Sequence, residues 1–242
     1  MWTFGICLGN NSTFLDSLIV SIKRQQELNK DIFEIIVIGP INLEISTIIE
    51  KHKSEINISH IVFEEKTWST SFENNPWITL KKNILIQNAK FENICLMHDY
   101  IGLCAGWYMG FQKFGYDWDV CMTPVLHQDG RRFRDWIRNA SSCQLGDVQY
   151  VDYEDNKYTQ KMYISGAYWC GKKDYMLKHP QHINRLWDQG EDVYWSLECQ
   201  STWKYVLNPL SCVRCLKDKS YDLRPHPDTN PNKNYSIQDI QK

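Results

Sequence analysis

Thr3-Phe4-Gly5-Ile6-Cys7-Leu8, leading into the polar turn Gly9-Asn10-Asn11-Ser12-Thr13, is the first of two apolar runs that decide the fold. The second is Phe33-Glu34-Ile35-Ile36-Val37-Ile38, stopped by Gly39-Pro40. Between them, residues 14–29 carry Leu15, Leu18, Ile19 and Ile22 at helical spacing. A helix near 45–53 and a strand over 60–63 complete a βαβαβ unit. Short apolar strands alternating with helices predict a mostly parallel sheet covered on both faces. Ligands of such sheets sit beyond the carboxyl ends of the strands. The turns after Leu8 and Ile38 are therefore the expected nucleotide-binding edges.

Outward from this unit, the pattern predicts a helix around 78–89 carrying Lys81, Lys82 and Asn83. A strand over 93–97 follows and ends in His98-Asp99-Tyr100. The middle stretch, 117–155, has turn chemistry at Asp129-Gly130 and a cluster of Arg and Trp. A strand over 163–170 passes through Gly166, and a helix over 173–187 leads to Gly190-Glu191-Asp192 and a second helix through 203. After Asp218 the chain is rich in Pro, Asn, Asp and Lys, and reads as a surface tail over 218–242. The expected organisation is one α/β domain over 1–217, with a first half (1–100) that carries the expected nucleotide-binding edges and a second half (101–217).

Composition narrows the function classes. The net charge of -2 and the scattered basic residues argue against a general nucleic-acid binder. No stretch approaches the roughly 20 apolar residues of a membrane span. The opening strand has neither a basic leader nor a small-residue cleavage site, so a cytoplasmic protein is expected. Nine Cys, mostly in apolar runs (Cys95, Cys104, Cys121, Cys170), suit reduced buried thiols better than a disulfide framework. Cys212-x-x-Cys215 has no second pair or His-x-His partner, so a zinc site is not expected.

Four segments carry residue types suited to chemistry, each with a structural alternative. Asp99 ends a buried strand, where a carboxylate can hold Mg²⁺ or Mn²⁺ against a pyrophosphate, with His98 as a second ligand; it can equally cap the following turn. Glu191-Asp192 opens a helix, where the macrodipole favours negative charge, and a carboxylate there is also placed to act as a general base. Lys81 and Lys82 meet phosphates of a ligand or form a solvated helix face. Arg131, Arg132 and Arg134 bind a pyrophosphate or pair with Asp129 and Asp135 at the surface.

In this order the segments resemble glycosyltransferases of the GT-A fold, most nearly the inverting family 2, over roughly residues 3–217. The residues carrying the resemblance are Gly5-Ile6-Cys7 with the Asn10 turn, Lys81-Lys82-Asn83, His98-Asp99-Tyr100 with Trp107 downstream, Ser165-Gly166-Ala167 and Glu191-Asp192. The resemblance implies transfer of a sugar from a nucleotide-diphosphate sugar, by default a UDP-sugar, to a hydroxyl of a glycan, glycoprotein or glycolipid. It makes Asp192 the catalytic base and Glu191 an acceptor contact, with Asp99 holding a metal–diphosphate. Gly5, Ile6, Asn10, Gly39, Lys81, Lys82, Asn83, His98, Arg131 and Arg134 would surround the donor. Trp107, Trp136, Gly166 and Ala167 would face the acceptor, and His226 would be a late metal ligand. The acidic motif departs from a full DxD, with His98 and Tyr100 flanking a single Asp99, so the arginines are expected to replace some of the cation's charge.

Three rivals remain at this level. A nucleotidyltransferase needs basic residues after the first strand, and Gly9-Asn10-Asn11-Ser12-Thr13 has none. A non-catalytic nucleotide- or sugar-binding module would need neither Asp99 nor Asp192 in working geometry. A hydrolase would need their oxygens within roughly 5–9.5 Å of each other.

Overall fold

The computed structural model describes residues 1–9, 12–63, 77–139, 148–157, 159–183 and 190–218. Asn10 and His226 fall outside them. The first half runs β1 (Trp2–Cys7), α1 (Leu15–Lys23), β2 (Phe33–Gly39), α2 (Leu43–Lys53), β3 (Ile58–Val62), α3 (Trp77–Asn88) and β4 (Asn93–His98). Strand β1 is flanked by parallel partners, with Ile6 opposite Val37 of β2 and Met97 of β4. All six β1 residues are buried, as expected of a strand covered on both faces. Helix α1 packs with Leu15, Leu18, Ile19 and Ile22, the predicted stripe. Helix α2 starts where the Asn42 side chain accepts from the Ile45 amide at 2.8 Å.

The second half adds β5 (Ile101–Leu103), α4 (Trp107–Phe114), β6 (Val120–Met122), β7 (Val125–Leu126), β8 (Ile137–Asn139), β9 (Val148–Tyr150), β10 (Met162–Tyr163), β11 (Tyr168–Lys172), α5 (Lys173–Lys178), α6 (Glu191–Cys199), β12 (Tyr205–Leu207) and β13 (Val213–Cys215). The main sheet has the order β12-β6-β11-β4-β1-β2-β3. The pairings make β11 the one strand of that sheet that runs against the rest. Two three-stranded sheets, β10-β8-β9 and β5-β13-β7, sit beside it. The carboxyl ends of β1, β4, β6 and β12 and the amino end of β11 therefore lie along one edge. Behind the sheet, Trp2 is fully buried and packs edge-on against Trp107 and Phe111, with centroids 4.9 and 4.8 Å away.

Two expected elements are divided. The strand over 163–170 is two strands in different sheets, β10 pairing with β8 and β11 with β4. The chain turns between them: the Tyr168 amide returns to the Ser165 carbonyl, and the Ile164 amide is taken by Ser196 Oγ. The helix over 173–187 stops at Lys178 because His179 precedes Pro180, a position that disfavours helical backbone. Helix α6 ends at Cys199, short of 203.

Candidate active site

The site is built at the edge where the strands of the main sheet end. Asp99 follows directly on β4, and its amide donates to the Cys7 carbonyl at the end of β1. Its side chain is buried, and Oδ2 accepts from the Gly9 amide at 3.4 Å. Burial raises the Asp99 carboxyl above the usual range, opposed by the Gly9 amide and by the charges of Lys217 and Lys81. The His98 ring stacks on Tyr100, with centroids 5.3 Å apart.

These residues line a cleft of about 270 Å³. Cys7, Leu8 and Gly9 form its floor, Phe14 and Trp77 contribute aromatic surface, and His98, Asp99 and Tyr100 form one wall. Lys81 enters from α3, donates to the Leu8 carbonyl at 2.9 Å, and lies over the Phe63 and Trp77 rings. Lys217 completes the lining. It arrives because β13 pairs antiparallel with β5 and the Leu216 amide bonds the Tyr100 carbonyl at 2.7 Å. No local motif marks Lys217: it lies more than a hundred residues from Asp99 in the chain, and only the strand pairing joins them.

The second carboxylate centre is the start of α6. Gly190 has a left-handed backbone (φ 67) that swings the chain into the helix. Glu191 is buried and faces Lys82 Nζ at 3.4 Å. Burial raises the Glu191 carboxyl; Lys82 lowers it and Asp192 raises it further. Asp192 is half-buried, and each of its oxygens accepts a backbone amide: Oδ2 from Gly166 at 2.8 Å and Oδ1 from Val193 at 2.9 Å. Ser196 Oγ donates to the Asp192 carbonyl while accepting from Ile164, which ties α6 to the turn before β11. Gly166 and Ala167 meet both centres, since the Ala167 carbonyl accepts from the His98 amide.

The structure brings together some of the residues named from sequence and separates others. Lys81, His98 and Asp99 share the cleft. Lys82 turns away to Glu191, and Asn83 bonds the Gln181 backbone twice. Gly5 and Ile6 are interior: a Cβ on Gly5 would lie 3.0 Å from Leu96 Cδ2, and Ile6 is fully buried. Gly39 lets Leu8 pack against its backbone, where a Cβ would come within 2.7 Å of Leu8 Cβ. Trp107 and Trp136 are core residues with no exposed ring face; their indole N–H groups bond Tyr168 Oη and the Asp155 carbonyl. Arg131 pairs with Asp129 on the surface, and Arg132 with buried Asp135. Arg134 has a left-handed backbone (φ 34), its amide held by Tyr150 Oη, and does not line the cleft.

The residues present suit a divalent cation bound largely by its ligand. Among the described residues no three His, Cys, Asp or Glu form a metal-holding group. Asp99 offers one carboxylate, with His98 next to it in the same cleft. One carboxylate plus substrate phosphates is an ordinary Mg²⁺ arrangement. Asp99 and His98 are the residues that would hold it.

The strand order and the single reversed strand are those of a GT-A fold. Among solved structures, S. aureus TarS 1-349 in complex with UDP-GlcNAc is similar, with TM-score 0.64 and 12% identity over 93% of this chain and 61% of that one. GalNAc-T7 with UDP, GalNAc and Mn²⁺ is similar at TM-score 0.63 and 12% identity, over 89% of this chain and 43% of that one. The chain thus spans less than two thirds of the length of these neighbours. No family model matches the chain, and no curated protein matches it by sequence. No helix among the described residues is long and apolar enough to cross a membrane.

Proposed function

We propose that this chain is a glycosyltransferase that moves a sugar from a nucleotide-diphosphate donor, most simply a UDP-sugar, to an acceptor hydroxyl with inversion. The observation that carries this reading is the pairing of a cationic cleft at the ends of β1 and β4 with a half-buried carboxylate, Asp192, fixed by the Gly166 amide of the turn before β11 and by the Val193 amide of its own helix. Neighbours of the same fold were solved with UDP, with UDP-GlcNAc, and with UDP, GalNAc and Mn²⁺.

In the proposed reaction the diphosphate lies in the cleft beside Asp99, against the Lys81 and Lys217 ammonium groups. Asp192 takes the acceptor proton as the hydroxyl attacks the anomeric carbon opposite the diphosphate. Its two amide bonds fix the carboxylate's direction before the substrate arrives. Glu191, neutralised by Lys82, anchors the start of α6 beneath the base rather than taking the proton. Lys81 and Lys217 stabilise negative charge on the departing diphosphate. A divalent cation held by Asp99 and His98 would supply further neutralisation of the same charge.

The test has two arms. Thermal stability is followed with UDP, GDP, CMP and ADP, each with and without Mn²⁺; stabilisation by one nucleotide is expected, because a ligand of the folded state alone raises stability. Asp192→Asn should then abolish transfer and keep that stabilisation. Near-normal turnover in the variant would refute the base, and no shift with any nucleotide would favour a module of another ligand class.

A further inference from the structure

Strands β5 and β13 run antiparallel, with Ile101 opposite Cys215, Gly102 opposite Arg214 and Leu103 opposite Val213. One step further in the same register sets Cys104 opposite Cys212, and the Cys104 amide donates to the Cys212 carbonyl at 3.1 Å. Directly opposed side chains of an antiparallel pair share a face, with Cβ atoms roughly 4.5–5.5 Å apart. A disulfide needs roughly 3.5–4.5 Å, so a small shift at the ends of two three-residue strands closes the gap. The two thiols lie close enough to shift each other's ionisation. The twofold period places Arg214 on their face. Cys215 points to the other face and donates its S–H to the Lys217 carbonyl, so Cys212 and Cys215 cannot act together on one metal.

We propose that Cys104 and Cys212 form a redox-active thiol pair that closes to a reversible disulfide across β5 and β13. Cys104 is half-exposed and Cys212 is buried. The neighbouring Cys212 thiol and the Arg214 charge hold the Cys104 thiol below its usual range, while the Cys104 thiol and burial push the Cys212 thiol up. Cys104 is therefore the first nucleophile. Its thiolate attacks one sulfur of a low-molecular-weight disulfide, whose S–S bond breaks and releases one thiolate. Cys212 then gives up its proton to solvent and attacks Cys104 Sγ, displacing the second reagent thiolate. Two protein thiols are oxidised, and the reagent is reduced to two thiols. The bond ties together the strand that leaves Asp99 and the strand that leads to Lys217.

The main sheet holds an internal control. Cys95 and Cys170 are also directly opposed, on β4 and β11, but both are fully buried, and burial drives the Cys95 thiol well above its usual range. Reactivity follows thiolate character and access, so this pair stays reduced.

The experiment is peptide mapping by mass spectrometry after incubating the whole chain with oxidised glutathione and trapping free thiols with iodoacetamide. A Cys104–Cys212 disulfide that dithiothreitol reverses is expected, with Cys95 and Cys170 alkylated only after denaturation. Cys212→Ser should stop at a glutathione adduct on Cys104, and Cys104→Ser should leave Cys212 unmodified. A reduced Cys104–Cys212 pair in the wild-type chain, a disulfide between other cysteines, or an adduct on Cys212 in Cys104→Ser would overturn the proposal. The wild-type mapping decides the matter alone if either variant fails to fold.

Discussion

The Gly166 amide donates to Asp192 Oδ2 at 2.8 Å, and a Cβ on Gly166 would lie 2.9 Å from that same oxygen. The contact that aims the carboxylate also forbids a side chain at its donor. Gly166→Ala must push Asp192 off its amide. Overpacking of this kind costs about 1–3 kcal/mol, at the low end here because a side-chain tip moves rather than backbone. A misplaced base costs turnover more steeply, so kcat should fall ~10- to 100-fold with little change in Tm. Steady-state kinetics and thermal melts on the same preparation check both halves; equal losses in each would mean that Gly166 serves packing only.

Lys81 and Lys217 line the cleft, whereas Arg131 is committed to Asp129 at the surface. Lys81→Met and Lys217→Ala should each weaken UDP binding ~10-fold, equivalent to about 1.4 kcal/mol. Arg131→Ala should leave the affinity unchanged. Titration calorimetry separates the two groups, and a loss confined to Arg131→Ala would relocate the diphosphate.

The buried Lys82–Glu191 pair predicts an asymmetric double-mutant cycle. Removing one partner from a buried pair strands an uncompensated charge at a cost of about 3–5 kcal/mol. Lys82→Met should lower stability by that order, and adding Glu191→Gln should restore much of it. Denaturant melts of the two single variants and the double read the coupling; additive losses would mean that the two side chains do not depend on each other.

Asp99 and Glu191 both have carboxyls raised by burial. Across the interval from the unfolded value, about 4, up to each raised value, the folded chain binds more protons than the unfolded one. The contribution of these groups to stability is therefore largest at low pH and shrinks as pH rises through that interval. Surface pairs such as Asp16 with Lys51 and His52 act in the opposite sense, because their carboxylates are lowered. Asp99→Asn should flatten the downward part of the stability–pH curve without touching the other. Melts of both proteins from acid to neutral pH, in matched ionic strength, would expose a carboxyl that is not raised as parallel curves.

The βαβαβ half was legible because its information is local. Apolar runs such as Phe33–Ile38 and the Leu15-Leu18-Ile19-Ile22 stripe declare their period within a few residues. The acidic motif and the Glu191-Asp192 pair were legible for the same reason, each sitting at the end or start of an element. What escaped is set by pairing between distant segments. Lys217 reaches the cleft through a strand match with β5, which no local pattern encodes. Trp107 and Trp136 were expected at the acceptor through the family resemblance; burial sends both to the core. The arginine cluster divides in the same way, since a carboxylate two or three residues away captures Arg131 and Arg132 before any ligand can.

The reversed strand β11 has one more implication. Because β6 runs out to the sheet edge at Met122 and β11 runs back in from Tyr168, the chain between them departs from and returns to the same edge. That stretch is a closed excursion whose two ends are anchored on the main sheet, and it carries the β10-β8-β9 sheet. It is also packed into the molecule, with Trp136 against Tyr205 of β12 and with Ile137 and Tyr163 in one cluster with Val193 of α6. The excursion can therefore differ in its outward loops while these contacts, Asp99, Lys81 and the order of the main sheet stay in place.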